Sequence, residues 1–494
     1  MRRLRQFRHS CFTTTLLAAL LFILPATVGA EAFDDALQAY MKGEYQKAFE
    51  IYKSLADRGH ARAQNNLGNM YDVGQGVEQD LIQAAFWYQK AAEQGHLIAQ
   101  YNLGNMYDFG QGIKQDFDVA RKWYEKAAEQ GYPKAQHYLA VMYDRGKGVS
   151  QNYERAAEWY RKAAEQGFDQ AQFHLGTMYK IGEGVTKDPA QAAKWFMKAA
   201  EQGHARAQFK LGNMYDNGEG VERNYEEAAK WYKKAADKGL PRAQFNLGNM
   251  YDFGQGLPQD YQQAAEWYAK AADQGMPNAQ NSLGNLYDKG LGVEKNLETA
   301  AQWYRKAAEQ GHQMAQYNLG AMYQRGLGVP QDYAQAMQWY TQAAEKGSAR
   351  AQNALGVMYD QGQGVKKDLK MAAQWYTRAA EAGFSRAQYN IAAMYETGDG
   401  VPQDYVKAAE WYQKAAEQGH GLSQNYLGTL YHQGKGVPQD FVKAYMWYNL
   451  AATKLQPGKH QDMALKNQTN VTQLMKPAQV TEAQNLAGEW QVKQ

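Results

Sequence analysis

Cysteine is nearly absent: the 494 residues hold one, Cys11. A lone thiol excludes an internal disulfide framework and a cysteine-built zinc site. An excess of either charge is missing as well. The formal charge of +3 comes from Arg2, Arg3, Arg5 and Arg8; with residues 1–30 set aside, 50 basic side chains face 51 acidic ones, a net of −1. A near-neutral chain lacks the basic footprint of a nucleic-acid binder, so no nucleic-acid partner is expected. Apolar runs are confined to the N-terminus, where a basic start precedes Leu16–Val28 and the small residues Val28-Gly29-Ala30. This is the pattern of a secretory signal peptide over residues 1–30, with retention as a membrane anchor the alternative. Cleavage after Ala30 would also remove Cys11. The reading is therefore of an exported chain, periplasmic or secreted, monomeric, and with no stable membrane insertion once cleaved.

What is present is regularity. Trp87, Trp123, Trp159, Trp195, Trp231, Trp267, Trp303, Trp339, Trp375, Trp411 and Trp447 are each 36 residues apart, with no insertion. A fixed period of this size marks a repeat architecture. In the first repeat, Ala63, Leu67, Met70 and Tyr71 fall on one helix face, and Ala84, Trp87, Tyr88 and Ala91 on another. Gly74-Gln75-Gly76 breaks the chain between them, and Gly95 stops the second helix. One such pair cannot bury its own apolar faces, so neighbours must stack. The fold predicted is all-α, a right-handed superhelical α-solenoid of about eleven to twelve 36-residue helix-turn-helix repeats. Residues 31–60 form a shortened N-terminal repeat or cap, 61–456 eleven full repeats, and 457–494 C-terminal capping helices. Gly68 and its equivalents, replaced by alanine only at Ala140 and Ala392, imply that a backbone or a large ring comes close.

The string Ala63-Gln64-x-x-Leu67-Gly68-x-Met70-Tyr71-x-x-Gly74-x-Gly76-Val77-x-x-Asp80, then Ala84-x-x-Trp87-Tyr88-x-Lys90-Ala91-Ala92-x-x-Gly95, resembles the Sel1-like repeat, a longer-turned relative of the tetratricopeptide repeat. The resemblance covers residues 61–456. It implies a superhelical scaffold whose first helices line the concave side, and adaptor roles in envelope assembly, signalling or host contact. Some exported members carry paired cysteines and are linked to penicillin binding or β-lactam hydrolysis; this chain has no such pairs.

Several features invite chemistry and have a plainer reading. The Gly-x-Gly turns lack a following Gly-Lys-Ser/Thr, so they read as positive-φ turns and not as phosphate loops. Position 80 is Asp in eight repeats and Asn in Asn152, Asn224 and Asn296; that exchange fits a helix N-cap better than a catalytic acid or a ligand. His60, His96, His204, His312 and His420 each follow a repeat-ending glycine. Their spacing does not bring them to one metal, and they read as turn residues. The Trp and Tyr ladders read as core. No catalytic residue, cofactor or metal is assigned.

What remains is the outward face of the first helix. Asn66 with Asn69, Asn102 with Asn105, and Asn246 with Asn249 recur as pairs; Asn213 and Asn285 keep the second member, Asn318 and Asn390 the first. Asp72, Asp108, Asp216, Asp252 and Asp288 lie one turn on, and Tyr101, Phe209, Phe245, Tyr317 and Tyr389 replace Asn65. Amides that both donate and accept could hold a peptide backbone, with the rings forming pockets; the alternative is packing between repeats. The favoured function is a non-catalytic scaffold that holds a protein or peptide partner on its concave face. A cell-wall-linked hydrolase or penicillin-binding protein and a secreted host-interaction factor are the alternatives.

Overall fold

The computed structural model describes residues 31–492, with side chains to Trp490. The expected signal segment, residues 1–30 with Cys11, lies outside the described residues. The chain divides into two compact units, Met1–Leu240 and Pro241–Gln494. Each is an all-helical solenoid with no strand among the described residues.

Helix α1 (residues 31–41) and α2 (Tyr45–Asp57) form a short first pair around Gly43, which has a φ of 80°. From α3 (Ala61–Val73) and α4 (Leu81–Glu93) onward, 13-residue helices alternate every 36 residues. Local chemistry explains their bounds. All eleven residues equivalent to Asp80 accept a backbone N–H at the start of the second helix, the three asparagines included. Capping by either side-chain oxygen is equivalent, which is why Asp and Asn exchange there. Gly74 ends the first helix at φ 75°, ψ 42°, a left-handed conformation that side chains resist.

The two glycines of each turn differ in what surrounds them. A Cβ on Gly110 would meet only Gln115, at 3.3 Å. One on Gly112 would run into the carbonyl group of Leu81, the first residue of the preceding repeat's second helix. Gly76, Gly148, Gly184, Gly292, Gly328, Gly400 and Gly436 meet the same carbonyl of their own preceding helices. The second glycine is thus a joint between repeats. Gly68 admits a ring, as expected: a Cβ there would lie 2.8 Å from Cδ1 of Tyr88.

The two aromatic ladders, read together as core, separate. Tyr88, Tyr124, Tyr160, Tyr232 and Tyr268 are fully buried. Most of the tryptophans are only half-buried, packed at the rim of the preceding core slab. An ammonium three residues on covers the outer face, as in Lys162 over Trp159 at 3.8 Å and Lys270 over Trp267 at 3.7 Å.

Within each unit a largely buried glutamine fastens one repeat to the one before. Gln64 Nε2 donates to the Ala56 carbonyl at 3.0 Å, and its Oε1 accepts from Gln94 at 2.7 Å. Gln100, Gln136 and Gln280 repeat both bonds, with Gln130, Gln166 and Gln310 as their donors. Where the donor position holds Lys238, Lys346, Ala382 or Lys454, the matching oxygens of Gln208, Gln316, Gln352 and Gln424 have no hydrogen-bond partner. Ala382→Gln should therefore supply the missing donor to Gln352 and stabilise the protein by about 1 kcal/mol. A urea midpoint that stays at the parent value or falls would contradict this.

At the C-terminus, α24 (Phe441–Lys454), α25 (Lys459–Thr472) and α26 (Pro477–Val492) close the stack. Trp447 meets Trp490 edge-on at 5.5 Å, while Ala483 and Ala487 are buried. Leu486, on the same helix, is 37% exposed.

Candidate functional site

On the first helix, Ala63, Leu67 and Met70 face the core. At 100° per residue, positions 62, 65, 66, 69, 72 and 73 form the opposite face. The sequence-predicted residues all lie there. Most are half-buried and Asp108 is 6% exposed, because they take part in two internal networks.

The first network satisfies the buried tyrosine. Tyr124, Tyr232, Tyr268 and Tyr304 donate O–H to Asn105, Asn213, Asn249 and Asn285, each at 2.7 Å. Asp216 and Asp252 stand 3.1 and 3.0 Å from the same hydroxyls of Tyr232 and Tyr268, and Asp72 lies 3.5 Å from that of Tyr88. Burial, then the Asp252 carboxylate, pushes the Tyr268 hydroxyl far above its ordinary range, so it stays a donor. Asp288 acts in the same sense on Tyr304. Burial also raises Asp72 above the usual carboxylate range. Asp108 has Lys147 at 3.7 Å.

The second network joins neighbouring repeats. Asn102 donates to Asn65 at 3.3 Å, Asn318 to Asn281 at 3.2 Å, and Asn390 to Asn353 at 3.0 Å. In the cap, Asn467 continues the series onto Asn425 at 3.1 Å. Asn66 accepts from Asn65. Where position 65 is aromatic, rings replace amides: Tyr101 meets Tyr138 at 5.7 Å, and Tyr389 meets Tyr426 at 5.9 Å. Phe209, Phe245 and Tyr317 tilt against Tyr232, Tyr268 and Tyr340 of their own repeats. Contacts between repeats, the alternative given above for these rings, are thus made by Tyr101 and Tyr389.

The histidines are caps. Nδ1 of His60, His96, His204, His312 and His420 accepts the backbone N–H three residues on, at 3.1–3.3 Å. Among the described residues, no group of three or more His, Cys, Asp or Glu could hold a metal ion.

His137 and His174 form their own link between repeats, 5.4 Å apart, with His174 stacked on Tyr160 at 5.0 Å. Burial, then His174, depresses His137 to about 3; burial, then Arg145, His204 and Arg206, depresses His174 to about 4. Burial also lowers His96, His204, His312 and His420. The unfolded chain therefore binds more protons below the ordinary histidine pKa of ~6.5. Stability is full above that pH and falls as pH drops toward 4, by roughly a few kcal/mol from His137 and His174 together. The raised carboxyls of Asp72 and Asp144 offset part of this. Melting scans of the parent and a His137→Tyr/His174→Tyr variant, which copies the Tyr101–Tyr138 contact, check it. The parent should lose more stability between pH 7 and 4 than the variant; parallel curves would rule the pair out.

Two sets of residues escaped the sequence reading. Gln64 stands in the repeat string, but its partners lie eight and thirty residues away. The second set is at position 62, where Arg62, Arg206, Arg242, Arg350 and Arg386 recur in Arg-Ala-Gln strings. All five are exposed at one end of this face.

Comparison with known proteins agrees with this architecture. The family model described as the Sel1 repeat matches residues 36–60, 61–96, 97–132, 133–168, 169–204, 205–240, 241–276, 277–312, 313–348, 349–384, 385–420 and 421–454. The chain is 40% identical to c5321, a protective antigen present in uropathogenic Escherichia coli strains, whose crystal structure displays an SLR fold. That match covers 90% of this chain and 94% of the other, with a TM-score of 0.84. A Sel1 repeat protein from Oxalobacter formigenes is 38% identical over 63% of this chain and 89% of its own, at a TM-score of 0.53. Among curated proteins, Helicobacter pylori HcpD, whose name presents it provisionally as a beta-lactamase, is 36% identical over 66 residues. These are 13% of this chain and 22% of that protein's length.

Proposed function

The chain belongs to the Sel1-repeat family, whose fold serves protein–protein interaction, and from that premise we propose an exported, non-catalytic scaffold that holds a protein or peptide along its first-helix face. The observation that carries this reading is the fixed geometry of that face. Tyrosine hydroxyls and amide bonds between repeats set the asparagine and aromatic side chains in place before any partner arrives. Little side-chain entropy is then lost on binding, which favours recognition. No helix of the described residues is long and apolar enough to cross a membrane.

Photo-cross-linking in cells tests the proposal. Probes placed at Asn318 and Asn390 should capture a discrete protein, and a probe at the exposed Gln89 of the second helix should not. Equal capture from both positions would overturn the choice of face. The beta-lactamase name of HcpD keeps an enzyme reading in view, and nitrocefin turnover by the purified protein would replace the scaffold with it. Recovery from culture supernatant would favour a host-contact role.

A further inference from the structure

The charges of the first helices run against their own dipoles. In α3, α11 (Ala205–Asn217), α13 (Pro241–Phe253), α19 (Ala349–Gln361) and α21 (Ser385–Thr397), the second residue is arginine and the first turn holds no acid. The last turn of each holds a carboxylate, Asp72, Asp216, Asp252, Asp360 or Glu396, and no base. A helix N-terminus favours acids and its C-terminus bases. Several second helices follow that rule, with Glu154 and Lys162, or Glu298 and Lys306, at the proper ends. The fold tolerates the rule in a first helix too: α9 (Asp169–Ile181) starts on Asp169 and carries Lys180 in its last turn. The carboxylates of this pattern also serve the fold, Glu396 accepting from the Tyr412 hydroxyl at 2.8 Å, but its arginine end does not serve helix stability. Nor does it serve ion pairing, for none of the five arginines lies within 4 Å of a carboxylate among the described residues.

The pattern is most complete where α19 and α21 follow one another in the second unit. Arg350 and Arg386 make one edge there, and Asp360 and Glu396 the other. Between them the floor carries Val357 and Ala393 in place of the asparagines of other repeats, beside the Asn390–Asn353 bond. We propose that this stretch is a trough with a basic and an acidic edge, and that it takes an extended peptide segment alternating acidic and basic residues. The inference rests on the scaffold reading above and names its partner's chemistry. In an extended chain successive side chains point to opposite sides. Alternation therefore lines all the acids along one flank, toward the arginines, and all the bases along the other, toward the carboxylates. The small floor lets the peptide backbone approach, and the Asn353 and Asn390 amides offer it hydrogen-bonding groups. A peptide of one charge sign would meet repulsion at one edge.

The test uses the full mature chain and a labelled 12-residue peptide alternating Glu and Lys, read by fluorescence anisotropy. The alternating peptide should bind at least tenfold more tightly than a peptide of the same composition with its Glu and Lys in separate halves. Added salt should weaken it. Arg350→Glu/Arg386→Glu, which conforms to the helix dipole and should melt no lower than the parent, should lose at least tenfold in affinity. Adding Asp360→Lys/Glu396→Lys reverses both edges and should restore binding, since the same peptide can lie the other way round. Equal affinity for the block peptide, or for the Arg350→Glu/Arg386→Glu variant, would overturn the trough. Cross-linked capture in cells from Asn318 and Asn390 separates the two levels. Capture that persists while peptide discrimination fails removes the trough alone, whereas no capture from either probe removes the scaffold reading itself.

Discussion

Gly112→Ala should destabilise the protein by about 2–5 kcal/mol, more than the same change at neighbouring glycines. Two effects add. At φ 70° an alanine pays the left-handed penalty of about 1–2 kcal/mol. Its Cβ would also occupy the place of the Leu81 carbonyl, with the Leu81 Cβ 2.8 Å away. Backbone cannot rotate aside as a side chain can, so the joint between repeats must open, at a further ~1–3 kcal/mol. Gly110→Ala and Gly131→Ala are the controls. Both have positive φ, but a Cβ on Gly110 would come no nearer than 3.3 Å to any atom, that being the Gln115 Cβ, and Gly131 has nothing within 4 Å. They should lose only the conformational term. Urea midpoints of the three variants decide the matter: equal losses would mean that the contact between repeats carries no energy. In a solenoid, stability is a sum of repeat and interface terms, so hydrogen exchange in the Gly112 variant should accelerate first around α4 and the helix that follows it.

Gln280→Ala should cost about 2–4 kcal/mol. Gln280 is 4% exposed; its Nε2 holds the Ala272 carbonyl at 3.1 Å, and its Oε1 holds Gln310 at 2.9 Å. Truncation leaves a cavity and removes two hydrogen bonds at the joint between repeats, while the Ala272 carbonyl keeps the Gly275 N–H at 2.9 Å. Gln352→Ala is the internal comparison. Its Nε2 bonds Ala344 at 3.2 Å, but its Oε1 has no partner to lose. The Gln352 variant should therefore melt closer to the parent. The reverse order would show that the amide–amide bond contributes nothing and that packing alone sets the cost.

The candidate face was legible as a place and not as a set of bonds. Asn105 and Asn249 fall outward on a helical wheel, and they do lie on the outward side of the helix. No periodicity, however, shows that Tyr124 and Tyr268 reach their amides from nineteen residues away. Position 65 shows the same limit. Tyr101 reads as a pocket-forming ring, yet it packs on Tyr124 and on Tyr138 of the next repeat. The histidines show the opposite case. Their place after a repeat-ending glycine pointed to a turn, and the adjoining N–H group, three residues on, made them caps.

The sequence alone determined the 36-residue period, the two helices of each repeat, the Asp80-type caps and the glycine turns. Each of these depends on a residue's own backbone preference or on partners within one helical turn, so the order of residues suffices. Only the tertiary structure decided which carbonyl sits against Gly112, which donor serves Gln280, and which asparagine of the next repeat bonds Asn353. Those pairings depend on how adjoining helices are rotated and set against each other. Side chains 8, 30 or 37 residues apart meet only once that packing is in place.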